Sequence, residues 1–151
     1  MIIYTRTNAA NADFKQLVTE LDKDLSIRDG ADHSFYAPFN TIDTIKYTIV
    51  AYDGDTPVGC GAIKEYASDA AEVKRMYVPP QRRGHGIAAA ILKNLELWAA
   101  DMHYKKCLLE TGHKQPEAIA LYKKSGYRII PSYGQYEGVE NSVCFEKILV
   151  G

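Results

Sequence analysis

Arg82 and Arg83 run directly into Gly84-His85-Gly86, and an apolar stretch with helical spacing follows, "IAAAILKNLELWAA". The start of a helix presents backbone N–H groups that have no partner inside the helix, and glycine lets an anion come close to them. Two guanidiniums beside such a start suit a pyrophosphate, whose charge exceeds what a helix dipole alone offsets. "GHGIAA" also fits the dinucleotide pattern Gly-x-Gly-x-x-Gly/Ala, and Glu110 lies about 20 residues on, where an acid would meet a ribose. Five residues, Pro79 to Arg83, separate the preceding strand from the first glycine, whereas that pattern normally has none. A nucleotide-dependent oxidoreductase is therefore the runner-up, and a turn with solvated arginines the plainest alternative. His33, His85, His103 and His113 show no ligand spacing and read as surface or capping residues; no metal is expected.

The elements that must position these residues come from a chain of 151 residues, 46% hydrophobic and 25% charged, with a formal net charge of -1. This is the makeup of one globular domain spanning 1–151, with enough apolar side chains for a core. Near-zero charge gives no overall attraction to nucleic acid or an anionic membrane. No run reaches the apolar length of a membrane span, so a cytoplasmic protein is expected. Cys60, Cys107 and Cys144 are odd in number and far apart, and read as reduced core thiols.

"IIYTRT" predicts a strand, and Phe14, Leu17, Val18, Leu21 and Leu25 a helix capped by Asn11. Residues 29–40, "DGADHSFYAPFN", predict an ordered loop or short helix, a candidate lid. "IKYTIVAY" and "VGCGAIKEY" flank Asp53-Gly54 as a hairpin. "AEVKRMYV" is a third strand stopped by Pro79-Pro80, and residues 84–101 a central helix. "KCLLET" is a buried strand, and "PEAIALYKKSG" a helix with Pro116 in its first turn and Gly126 at its end. "YRII" and "NSVCFEKILV" complete the sheet. The fold class is α/β, a mixed sheet of about seven strands flanked by helices.

"VPPQRRGHGIAAAIL" resembles the Arg/Gln-x-x-Gly-x-Gly/Ala motif of the GCN5-related N-acetyltransferase (GNAT) superfamily, with Gln81, Gly84 and Gly86 on its fixed positions. Gln115, Ala118, Tyr122, Gly126 and Tyr127 match that superfamily's next strand and helix; Gln115 stands where many relatives have Asn. The resemblance implies the acyl-CoA N-acyltransferase fold, with splayed parallel central strands. It also implies transfer of acetyl from acetyl-CoA to a primary amine of a small molecule or peptide in a ternary complex, without metal. It gives the pyrophosphate to the backbone of Arg82, Arg83, Gly84, His85, Gly86 and Ile87. It gives the pantetheine arm to main-chain groups at Met76 and Val78, and the oxyanion to an N–H near Tyr77 or Val78.

By the same resemblance Glu72 is the carboxylate that draws the amine's proton off through water, and Tyr122 the acid that protonates the departing thiolate. Phe35, Tyr36, Tyr133 and Tyr136 fall in loops that shape the acceptor pocket, and Glu110 faces the acceptor amine from a strand end. The acceptor's identity stays open among amino acid, polyamine, antibiotic, small metabolite and protein amine. A homodimer is compatible with the sequence, as is a non-catalytic acyl-CoA sensor or partner-binding module.

Overall fold

A computed structural model describes residues 1–29 and 45–149; His33, Phe35 and Tyr36, with most of the expected loop, lie outside them. The elements are β1 (Ile2–Thr7), α1 (Ala12–Asp29), β2 (Tyr47–Asp53), β3 (Thr56–Ala67), β4 (Ala70–Tyr77), α2 (Ile87–Asp101), β5 (Lys106–Gly112), α3 (Pro116–Lys124), β6 (Arg128–Ile130) and β7 (Ser142–Ile148). They form a seven-stranded sheet in the order β1-β2-β3-β4-β5-β7-β6. β4 and β5 are its parallel pair, while the other neighbours run antiparallel.

Local chemistry fixes the boundaries. The Asn11 side-chain oxygen accepts the Phe14 N–H at 2.9 Å and closes the first turn of α1. Asp53 pairs with Thr56 across the β2–β3 hairpin. The central helix expected from residue 84 begins at Ile87 instead, because Gly84 and Gly86 take φ of +83° and +81°. Left-handed residues cannot be part of a right-handed helix, so the glycines build the loop that leads into it.

The sheet buries a different set on each face. α1 lays Phe14, Leu17, Val18 and Leu21 against Val50, Cys60, Ala62 and Tyr77. α2 packs Ile87, Ile91, Leu92 and Leu95 against Ile49, Val58, Ile63, Val73 and Phe145. Each such aliphatic or aromatic side chain contributes about 1.5–3 kcal/mol when fully removed from water. The approach of α2 is close: a Cβ on Gly61 would lie 2.6 Å from the Met76 sulfur and 2.9 Å from Ile91 and Leu95. Cys60, Cys107 and Cys144 are buried and unpaired. Burial pushes the Cys60 and Cys107 thiols up to about 12, which leaves them poor nucleophiles.

Candidate active site

The site begins where the sheet opens. β4 and β5 are in register only from Ala70–Lys106 to Glu72–Leu108, and beyond that point they part. On the other edge of β4, Cys60 faces Tyr77 and Ala62 faces Lys74, so Arg75 and Met76 together oppose Gly61. This is a β-bulge, which bends a strand and tightens its twist. Arg75 sits there at φ +60°, a conformation that costs a non-glycine residue about 1–2 kcal/mol. Its buried guanidinium is held by Asp22 of α1 at 2.5 Å, and its carbonyl accepts the Cys60 S–H at 3.4 Å.

Two hollows meet at the opening. The larger, about 590 Å³, runs from Met76, Tyr77 and Val78 past Arg82, Arg83, Gly84, Gly86 and Ile87 to Gln115 and Tyr122 of α3. No side chain caps α2, so the N–H groups at its start remain available to an anion. A Cβ on Gly84 or Gly86 would meet nothing within 4 Å, so a ligand can reach the main chain there. Both arginines are anchored: Arg82 binds Asp53 at 2.9 Å, and Arg83 donates from Nε to the Val78 carbonyl at 2.8 Å. Gln81 and His85 are exposed and do not line this groove.

The smaller hollow, about 120 Å³, lies in the β4–β5 cleft between Lys74, Arg75, Glu110, Gln115, Tyr122 and Tyr136. Met76, Gln115 and Tyr122 line both hollows. The end of α3 fixes Tyr122: the Tyr127 N–H bonds the Tyr122 carbonyl at 3.0 Å and the Gly126 N–H bonds that of Lys123 at 3.2 Å. Gly126 supplies the φ of +96° that this Schellman ending needs, and the two tyrosine rings pack 6.0 Å apart. Burial, then the charge of Glu110, raises the Tyr122 phenol above its ordinary value, which keeps it protonated.

Glu72 is buried and does not line either hollow. Its carboxylate accepts the Tyr133 hydroxyl at 2.7 Å and lies 3.7 Å from the Lys74 ammonium. Tyr133 therefore anchors the carboxylate, while Tyr136, stacked edge-on to it at 5.6 Å, reaches the cleft. Glu110 accepts the Ser142 hydroxyl at 2.6 Å. Lys74 and Arg75 escaped the sequence reading, although two consecutive cations inside the buried run "AEVKRMYV" were a signal. Among the described residues no group of three His, Cys, Asp or Glu could hold a metal ion, and no helix is long and apolar enough to cross a membrane. His103 ends α2 at φ +72° and is a capping residue.

Known proteins resemble this chain in sequence and fold. The family model for the acetyltransferase (GNAT) domain matches residues 44–129. An IAA acetyltransferase of Azospirillum brasilense is 35% identical over 137 residues, which cover 89% of each chain. This chain belongs to the GNAT acetyltransferase family. A crystal structure described as that of a putative acyl-CoA N-acyltransferase from Klebsiella pneumoniae superposes with a TM-score of 0.83 at 30% identity, covering 99% of both chains. A GNAT acetyltransferase from Elizabethkingia anophelis, with acetyl-CoA bound, shares the fold at a TM-score of 0.70, 19% identity and 98% coverage of each chain. The chain is thus an acyl-CoA N-acyltransferase, and its seven-stranded mixed sheet has the fold expected from the sequence. An uncapped helix start, glycines open to solvent and a long groove fit a CoA thioester.

Proposed function

We propose that this GNAT protein transfers acetyl from acetyl-CoA to the primary amine of a small molecule or peptide. The observation that carries this reading is the meeting of groove and cleft at Tyr122, a phenol that lines both hollows where strands β4 and β5 separate. Bound acetyl-CoA would supply an activated thioester. The main chain from Arg82 to Ile87 would hold its pyrophosphate, with Arg82 and Arg83 adding charge. Met76, at the end of β4 where it has parted from β5, and Val78, just after it, would hold the pantetheine arm through backbone groups, and a main-chain N–H near Tyr77 or Val78 would stabilise the oxyanion. Gln115, at the start of α3, borders the same path.

Tyr122 gives its proton to the thiolate sulfur, and burial favours that role by keeping the phenol neutral. Glu72 is the proposed final acceptor of the amine's proton, reached through water because its carboxylate does not face the cleft. Glu110 faces the acceptor ammonium. The test is release of CoA from acetyl-CoA in the presence of a panel of primary amines. Acceptor-dependent release supports the reading; binding of acetyl-CoA without turnover of any amine favours a sensor instead.

A further inference from the structure

The cleft that would receive the acceptor contains a cation that amine chemistry does not require. The Lys74 side chain is only 9% exposed, and among the described residues its ammonium meets one anion, Glu72, at 3.7 Å. That separation is an ion pair beyond hydrogen-bond reach, so Glu72 does not take up the ammonium's three donors. Burial lowers the Lys74 pKa, while Glu72 and then Glu110 act in the opposite direction. A partly buried ammonium that no carboxylate bonds directly gains from an anion supplied by a ligand.

Glu110 stands across from it. The β4–β5 register, Glu72 beside Leu108, brings Lys74 and Glu110 to the same level of the two strands just after they part. Both line the same hollow of about 120 Å³, one cationic and one anionic, with the apolar Leu21, Leu25 and Val73 beside them. Arg75 is already neutralised by Asp22. We propose that the acceptor is a small zwitterion with a carboxylate next to its amine, as in a free amino acid, and that Lys74 binds this carboxylate while Glu110 faces the ammonium.

This assignment rests on the acetyltransferase reading and narrows it. A polyamine would bring a second ammonium against Lys74, and like charges in a partly dry site repel. A peptide N-terminus or a lysine side chain has no carboxylate adjacent to its amine.

The experiment compares the twenty common L-amino acids with their primary carboxamides, in which the amine remains and the carboxylate is lost. Binding is read calorimetrically in the presence of saturating CoA, and turnover as CoA release from acetyl-CoA. At least one amino acid is expected to exceed its amide roughly tenfold to a hundredfold in both readouts, as for loss of a charge-assisted bond. Lys74→Met should abolish that preference mainly by raising KM for the acid, and Lys74→Arg should restore part of it. Equal binding of acid and amide by the wild-type protein overturns the assignment, even if Lys74→Met fails to fold. So does an absence of binding by every amino acid, or a preference that survives in Lys74→Met. CoA binding with any of these three results leaves the acetyltransferase reading intact, whereas failure of CoA itself to bind removes that reading and the assignment with it.

Discussion

Tyr122→Phe deletes one oxygen from a side chain whose ring is packed on Tyr127 at 6.0 Å and on Phe145 at 5.8 Å. The ring contacts survive, so the stability change should stay within about 1 kcal/mol, the net worth of an ordinary hydrogen bond. For a chain of this size that is about 2–4 °C in Tm. Turnover should fall roughly tenfold to a thousandfold, the loss expected for one general acid. Such a fall corresponds to about 1.4–4 kcal/mol in the barrier, at 1.36 kcal/mol per tenfold. The KM for acetyl-CoA should hardly move, because the hydroxyl acts on the departing sulfur. The assay is steady-state CoA release with one identified amine, repeated with an acetyl thioester of a more acidic thiol, whose departure needs less help from an acid. The deficit should shrink with that donor. Full turnover in the variant, or the same deficit with both donors, refutes the acid role.

Replacing Arg82 and Arg83 together by Ala should raise KM for acetyl-CoA with little change in kcat, because binding is lost equally from ground and transition states; an unchanged KM with a reduced kcat would contradict it. Glu72→Gln should lower activity at neutral pH and regain it as pH rises and the acceptor amine loses its own proton, and a pH–rate profile superimposable on wild type would remove the base role. Gly61→Ala forces a Cβ to within 2.6–2.9 Å of Met76, Ile91 and Leu95 and should cost about 1–3 kcal/mol, measurable by denaturant titration. The Arg128 bonds to Glu146 hold that carboxyl below its ordinary value near 4.5. Its stabilisation is therefore complete above that value and is lost as pH falls through the lower folded-state value. Glu146→Gln should be less stable than wild type at pH 7, and the two melting curves should converge on acidification.

The groove was largely legible because its signals are local. Gly84 and Gly86 behind two arginines announce a loop into a helix start, Asn11 a cap, Asp53-Gly54 a hairpin, and Gly126 a helix end. The precise start of α2 was misjudged by three residues, since apolar spacing does not reveal that both glycines adopt left-handed geometry. What escaped depends on partners distant in the chain. The Arg75 bulge is recognisable only once Asp22, 53 residues earlier, is seen to hold its guanidinium. Glu72 looks like a free strand-end carboxylate until Tyr133, 61 residues later, occupies it. Lys74 drew no functional reading in sequence and becomes a partly buried cation in the cleft only when β4 and β5 flank it. The strand order, with β7 between β5 and β6, likewise has no local signature.

The most direct test of the central claim is thermal unfolding of the purified protein with saturating acetyl-CoA and, in parallel, with a nicotinamide dinucleotide. A ligand that binds only the folded chain raises Tm by mass action; at a hundred times its Kd the gain is about 2.7 kcal/mol. The groove at the start of α2 predicts a clear rise in Tm with acetyl-CoA and none with the dinucleotide. A rise with the dinucleotide and none with acetyl-CoA would contradict the assignment of that groove to a CoA thioester.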